Sequence, residues 1–156
     1  MNKSLYREVP AVMMVELRKK VLAYITRGDG PDQQLLVYTM KDHPESGVQV
    51  PGGTIDRGEL LMDALYREIE EETGIQKDDL VLIGKLAKNT YFPRHRDRRY
   101  ERTIFHLEYR GDGPEQWEHT VTGDGKDQGL TLQIRWMPVC DIHGLAKKQD
   151  MALDAL

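Results

Sequence analysis

The chain predicts a mixed α+β domain: strands first, then one amphipathic helix, then more strands and a short helical tail. Three observations carry that class. Residues 19–27 and 34–40 are strand-like runs flanking Gly28-Asp29-Gly30-Pro31-Asp32, the pattern of a hairpin. Residues 59–72 place Leu61, Leu65 and Ile69 four apart with Ala64 beside them, one inward stripe of a helix. Residues 80–86, 102–109 and 130–137 then return to strand composition. At 156 residues the chain is read as one domain, residues 1–156, large enough for a real core.

The elements follow in order. Residues 8–16 read as a first strand, with Pro10 favouring an edge or an early bend. The hairpin comes next. Val48-Gln49-Val50 forms a short strand closed by Pro51-Gly52-Gly53. The helix over 59–72 stops before Gly74, a natural C′ residue. Two strands follow, and then a Gly-, Pro- and Asp-rich loop from 110 to 129. After the strand over 130–137, residues 141–156 carry Ile142, Leu145, Ala146, Met151 and Leu153 and read as one or two short helices. No repeat or low-complexity tract interrupts this order.

Composition excludes several classes. A net charge of −4 with 31% charged residues gives no basic surplus for nucleic-acid or membrane binding. The single Cys140 excludes an intramolecular disulfide framework, and it is expected as a small buried apolar residue. There is no 18-residue apolar run, and the N-terminal residues lack an apolar signal core, so a cytoplasmic location and no membrane partner are expected.

The chemistry concentrates at the end of the predicted helix. Glu68, Glu70, Glu71 and Glu72 lie within five positions. Glu68, Glu71 and Glu72 are spaced i, i+3, i+4, which places three carboxylates on one face with Cβ atoms roughly 5–6 Å apart. Like charges repel there, and the negative end of the helix dipole disfavours them again. A divalent cation among the carboxylates reverses both effects, and dense hard oxygen ligands suit Mg²⁺, with Mn²⁺ as the alternative.

Residues 53–75 fit Gly-x5-Glu-x7-Arg-Glu-apolar-x-Glu-Glu-x-Gly-apolar without a mismatch. The fixed positions are Gly53, Glu59, Arg67, Glu68, Glu71, Glu72 and Gly74, with Ile69 and Ile75 in the apolar slots. Chance agreement is on the order of one in a billion per start position. The segment resembles the signature of the Nudix hydrolases. That resemblance implies the Nudix fold, an α/β/α sandwich around a mixed β-sheet, and metal-dependent hydrolysis of a diphosphate. It implies Glu71 and Glu72 as metal ligands, with Glu68 as a third ligand or as the base for the attacking water. The Gly52 carbonyl would add a metal contact. Arg67 would hold a neighbouring glutamate in place, and Glu59 would order the turn into the helix.

Residues outside the signature select the substrate. Some members of the family use a further glutamate from a late loop, and here Glu115 and Glu118 are available; Glu118, between Trp117 and His119, is preferred. Arg94, Arg96, Arg98, Arg99 and Arg102, with His95, concentrate positive charge in an otherwise acidic chain. Arg94, Arg96 and Arg98 are read as phosphate-gripping candidates. Tyr91, Phe92 and Tyr100 are available to stack a base. Tyr91 stands 16 residues past the signature, similar to the marker tyrosine of diadenosine polyphosphate hydrolases, whereas Pro93 lies near the position that marks the ADP-ribose branch. His43 is read as an exposed loop residue and His106 as sheet packing.

The resulting expectation is a Mg²⁺-dependent hydrolase of a nucleoside diphosphate linked to another group, with dinucleoside polyphosphates or nucleoside triphosphates favoured. Removal of pyrophosphate from RNA 5′ ends and cleavage of ADP-ribose or nucleotide sugars are the alternatives. A non-catalytic nucleotide sensor is the alternative from a different class, and it conflicts with the intact signature. An isopentenyl diphosphate isomerase needs a catalytic cysteine early in the chain, and Cys140 is too late. The expected partners are a small-molecule nucleotide, RNA only through its 5′ end, and a second copy of the chain, since many members of the family dimerise.

Overall fold

The computed structural model describes residues 16–92 and 98–156. Residues 8–15 of the expected first strand, and Arg94, His95 and Arg96 of the basic loop, lie outside the described residues. The strands are β1 (Glu16–Arg27), β2 (Gln34–Met40), β3 (Gly52–Thr54), β4 (Leu80–Tyr91), β5 (Arg98–Tyr109), β6 (Gln116–Thr120) and β7 (Thr131–Pro138). Among the described residues, one α-helix, α1 (Leu61–Thr73), stands between β3 and β4. They form a mixed seven-stranded sheet in the order β4-β5-β1-β2-β7-β6, with β3 also paired to β1. Among the described residues, only β1 and β5 run parallel; the other pairs are antiparallel.

The sheet opens in its middle, and that opening builds the site. β1 meets β2 only at Thr26 and Arg27. Further along, β3 replaces β2 beside β1, pairing Lys20, Val21 and Leu22 with Thr54, Gly53 and Gly52. Tyr38 and Gln49 exchange two backbone bonds of 2.8 and 2.9 Å, and the Ala23 N–H donates to the Pro51 carbonyl. The expected strand over 48–50 is thus a single bridge at Gln49, and the strand proper follows Pro51. The cause is steric: a Cβ on Gly52 would lie 2.3 Å from the Val21 carbonyl oxygen, so only glycine lets β3 approach β1.

Period-two alternation along β1 and β2 feeds two cores. Val21, Ala23, Ile25, Leu36 and Tyr38 face α1 and pack on Ala64, Leu65 and Ile69. Leu22, Tyr24, Leu35 and Val37 face the C-terminal tail and pack on Leu145 and Ala152. A fully buried side chain of this kind contributes about 1.5–3 kcal/mol. The tail forms three-residue 3₁₀ turns at Val139–Asp141, Ala146–Lys148 and Leu153–Ala155. Among the described residues, the second outer layer is therefore a tail of 3₁₀ turns, each only three residues long, where one or two short helices were expected.

Other expectations shift in detail. β1 is continuous through residue 19, and β4 and β5 extend further than predicted because they pair with each other to Tyr91 and Tyr100. β6 lies inside the segment expected as a loop, pairing with β7 from the sheet edge. Cys140 is exposed rather than buried, since it sits in the turn after β7. Leu61 is 36% exposed and leaves the buried stripe, because it occupies the first helical position at the rim of the sheet. Among the described residues, no helix is long and apolar enough to cross a membrane.

Candidate active site

Helix α1 emerges from a tight turn: Gly58 has φ +80°, and the Glu59 N–H donates to the Asp56 carbonyl at 2.9 Å. It ends at Gly74, whose φ of 79° is left-handed and whose N–H donates to the Glu70 carbonyl. Between those ends, Arg67 ties four groups together. Its Nε and Nη2 donate to the two Glu59 carboxylate oxygens at 2.7 and 2.9 Å. Nη1 donates to Glu68 at 3.0 Å and to Glu71 at 3.2 Å. Nη2 also reaches the Thr54 carbonyl at 3.1 Å, which links the helix to β3. The bidentate Glu59 contact holds the guanidinium in place. Glu59 also accepts from the Asp56 N–H, so it orders the turn and anchors Arg67 together. Its pKa is lowered, chiefly by the Arg67 hydrogen bond.

The three face-sharing glutamates differ in environment. Glu72 is 3% exposed, and one of its oxygens accepts from the Gly52 N–H at 2.7 Å. Burial raises its pKa well above the carboxylate range, with the charges of Glu68, Asp127 and Glu71 adding to that rise and the Gly52 bond opposing it. Burial likewise lifts Glu68 to about 7, with Arg67 opposing and Glu71 and Asp127 adding. Glu71 shares Arg67 with Glu68. Glu70 points away and accepts from Gln76 at the surface.

Glycines shape the surrounding walls. A Cβ on Gly53 would lie 2.2 Å from the Glu68 carboxyl carbon, and one on Gly123 would lie 2.6 Å from a Glu71 oxygen. The C-terminal end of α1 is docked by β6 and the loop after it. His119 Nε2 and the Thr122 N–H both reach the Glu71 carbonyl at 3.1 Å, and Trp117 Nε1 donates to the Thr73 carbonyl at 2.9 Å. These contacts satisfy carbonyls that a helix end leaves without partners.

The structure therefore brings Gly52, Glu59, Arg67, Glu68, Glu71 and Glu72 together. It does not bring Glu118 to them. Glu118 lies on the face of β6 opposite Trp117 and His119, is exposed, and accepts from Lys41 at 3.1 Å. The acidic residue whose charge does act on Glu68 and Glu72 is Asp127, in the loop between β6 and β7. It has no signature spacing to α1, and only the fold of that loop makes it a neighbour. Tyr91 also lies apart. It stacks on Tyr100 at 5.4 Å, under the Arg102 guanidinium, which donates to the Lys147 and Lys148 carbonyls of the tail. That is the sheet face opposite α1. Arg98 sits near Glu16 at 3.7 Å. His43 is an exposed loop residue, and His106 packs within the sheet against the Thr26 hydroxyl.

Among the described residues, no three acidic, histidine or cysteine side chains stand as a ready-made metal centre. The donor set nevertheless fits a hard divalent ion. It is all oxygen, it crowds like charges, and it includes a buried carboxylate with the proton affinity of an uncompensated anion. Because Arg67 holds oxygens of Glu68 and Glu71, a cation must compete with the guanidinium for them, while Glu59 leaves Arg67 a partner to keep.

Residues 16–155 match the NUDIX domain family model, and the chain belongs to that family. It is 32% identical over 75 residues to an RNA pyrophosphohydrolase from Thioalkalivibrio sulfidiphilus, a match covering 47% of this chain and 43% of that one. The chain spans less than half the length of the curated relatives it matches, 43% and 32%. Among solved structures, it is similar to the E. coli dihydroneopterin triphosphate pyrophosphohydrolase, with a TM-score of 0.64 and 19% identity over 91% of this chain and 97% of that one. It is also similar to a C. elegans Ap4A hydrolase, with a TM-score of 0.59 and 17% identity over 88% and 86% of the two chains. Both likenesses are of fold.

Proposed function

We propose that the protein is a Mg²⁺-dependent pyrophosphohydrolase that cleaves a phosphoanhydride in a nucleotide-linked polyphosphate. The observation that carries this reading is the Arg67-centred group of Glu59, Glu68 and Glu71 beside buried Glu72 and Gly52. A scaffold built for stability alone does not bury Glu72 or load the last helical turn with carboxylates. Glu71 and Glu72 would hold the ion, with the Gly52 carbonyl as a further donor and Glu68 either as a third ligand or as the base for the attacking water. When bound, the ion supplies charge neutralisation at phosphate oxygens and an acidified water. In the base role, Glu68, held beside Glu71 by Arg67, would accept a proton from that water. Arg67 fixes the Glu68 and Glu71 rotamers; its contacts are with carboxylates and the Thr54 carbonyl, which suits a positioning role.

Dinucleoside polyphosphates and nucleoside triphosphates are the leading substrates, and a solved fold relative bears the name Ap4A hydrolase. A second reading, hydrolysis at the 5′ end of RNA, is favoured by the curated RNA pyrophosphohydrolases that match part of the chain. The test is product analysis by mass spectrometry in ¹⁸O water with Mg²⁺. The panel holds nucleoside triphosphates, dinucleoside polyphosphates, nucleotide sugars, ADP-ribose and triphosphorylated RNA. Cleavage of one class identifies the branch, and the labelled product identifies the phosphorus attacked. Failure to cleave any member with Mg²⁺ or Mn²⁺ overturns the hydrolase reading in favour of a nucleotide sensor.

A further inference from the structure

A cleft of about 230 Å³ opens on the α1 side of the sheet, lined by Lys19, Ile55, Glu59, Leu61, Lys85, Lys88, Glu101 and Thr103. It meets the carboxylate group at Glu59, which lines the cleft and grips Arg67; Arg67 in turn holds Glu68 and Glu71. The Ile55 N–H donates to the Lys19 carbonyl at 2.8 Å, so the β3 exit and β1 form one continuous wall.

The opposite wall depends on an irregularity in β4. Lys85 and Lys88 are three apart, and a regular strand would send them to opposite faces. A register shift between Lys85 and Ala87 puts Lys85 across from Phe105 and Lys88 across from Thr103. Both lysines then share the face of Phe105 and Thr103, which looks toward α1.

The charges of the cleft do not cancel. Glu59 is taken by Arg67, and Glu101 is taken by Lys88 at 3.4 Å. Lys19 and Lys85 have no ion-pair partner among the described residues. Two ammonium groups at one cleft, over the apolar Ile55 and Leu61, repel each other unless an anion lies between them. Two arginines of β5 do not serve this face, since Arg102 is buried under the tail and Arg98 sits by Glu16; the third, exposed Arg99, shares the side of Glu101 and Thr103 by strand alternation and does not line the cleft.

We infer that this cleft, through Lys19 and Lys85, binds the polyphosphate portion of the substrate and presents it to the glutamates of α1. The inference rests on the pyrophosphohydrolase reading for its consequence and on the cleft for its chemistry. The volume suits a run of phosphates; pockets that enclose whole drug-sized ligands are about 300–1,000 Å³.

The test uses inorganic tripolyphosphate as the probe, on the full chain with Mg²⁺ present. Limited acetylation followed by mass spectrometry reads each lysine separately, whether or not the probe is cleaved. Lys19 and Lys85 should be slowed at least fivefold by saturating tripolyphosphate, while Lys41 and Lys148 should be unaffected. Equal labelling of Lys19 and Lys85 with and without the probe overturns the assignment. In parallel, the K19A/K85A double variant should raise KM for the cleaved substrate about tenfold and leave kcat within twofold; an unchanged KM also overturns it. Absence of hydrolysis with protection intact would remove the enzymatic reading but leave the anion site. Hydrolysis with no protection would do the reverse.

Discussion

Glu71 and Glu68 share one guanidinium yet carry different predictions. Glu71→Gln keeps size but removes one of the three carboxylate charges available to a cation. Turnover with Mg²⁺ should fall at least 100-fold, with circular dichroism and thermal melting unchanged; near-normal turnover removes Glu71 from the metal site. Glu68 has its pKa raised from 4.5 to about 7, so the folded chain holds that proton more tightly than the unfolded chain. The resulting stability is complete below pH 4.5 and is lost as pH rises through about 7. It amounts to at most about 3 kcal/mol. Glu72 acts in the same direction. The Tm of protein kept in EDTA should therefore drop by several degrees between pH 4.5 and pH 7.5, and Mg²⁺ should flatten that slope. A flat profile in EDTA would contradict the burial of these carboxylates.

At the scale of elements, the β3–α1 junction separates two adjacent glycines by what a methyl group would strike. On Gly52 it meets backbone, the Val21 carbonyl oxygen at 2.3 Å. On Gly53 it meets the movable end of a side chain, the Glu68 carboxylate. Gly52→Ala should lower Tm sharply, by about 2–4 kcal/mol of stability, because β3 must leave β1. Gly53→Ala should melt within a few degrees of the wild type yet lose most of its turnover, because Glu68 is displaced. Thermal melting and steady-state kinetics on the two variants separate these outcomes, and equal melting losses would show that the junction does not discriminate in this way. The same scale explains why β6 reads as loop. It is an edge strand with polar residues on its open face, and only Trp117 and His119 turn inward.

The whole molecule is closed by its tail, which spans the sheet face away from α1. Arg102, 4% exposed, donates to the Lys147 and Lys148 carbonyls at 3.0 Å each. Those two lysines hold positive φ values of 56° and 57°, a conformation that side chains resist and that the clamp maintains. The next residue, Gln149, accepts from the Val50 N–H at 2.8 Å, two residues before Gly52. The tail thus supports the segment that delivers the Gly52 N–H to Glu72. Arg102→Met should cost about 2–4 kcal/mol by urea denaturation, since two part-buried carbonyls lose a charged donor and the guanidinium's packing is lost. A loss below about 0.5 kcal/mol would mean that the tail is held by its apolar contacts alone.

The signature was legible because its chemistry is local: Glu68, Glu71 and Glu72 share a face by helical spacing alone, Arg67 adjoins them in sequence, and Glu59 lies about two turns upstream of Arg67. The hairpin, the inward stripe at Ala64, Leu65 and Ile69, and the α+β order follow from period and turn residues in the same way. Register and docking between distant segments were not legible. Asp127 becomes a neighbour of Glu68 only through the loop after β6, Lys85 and Lys88 share a face only through a bulge, and Arg102 leaves the basic cluster only because the tail covers it. The sequence by itself determined the family and its carboxylate chemistry, since those reside in contiguous residues of one helix. The tertiary structure alone decided which cations face that chemistry, because strand register and burial depend on residues far apart in the chain.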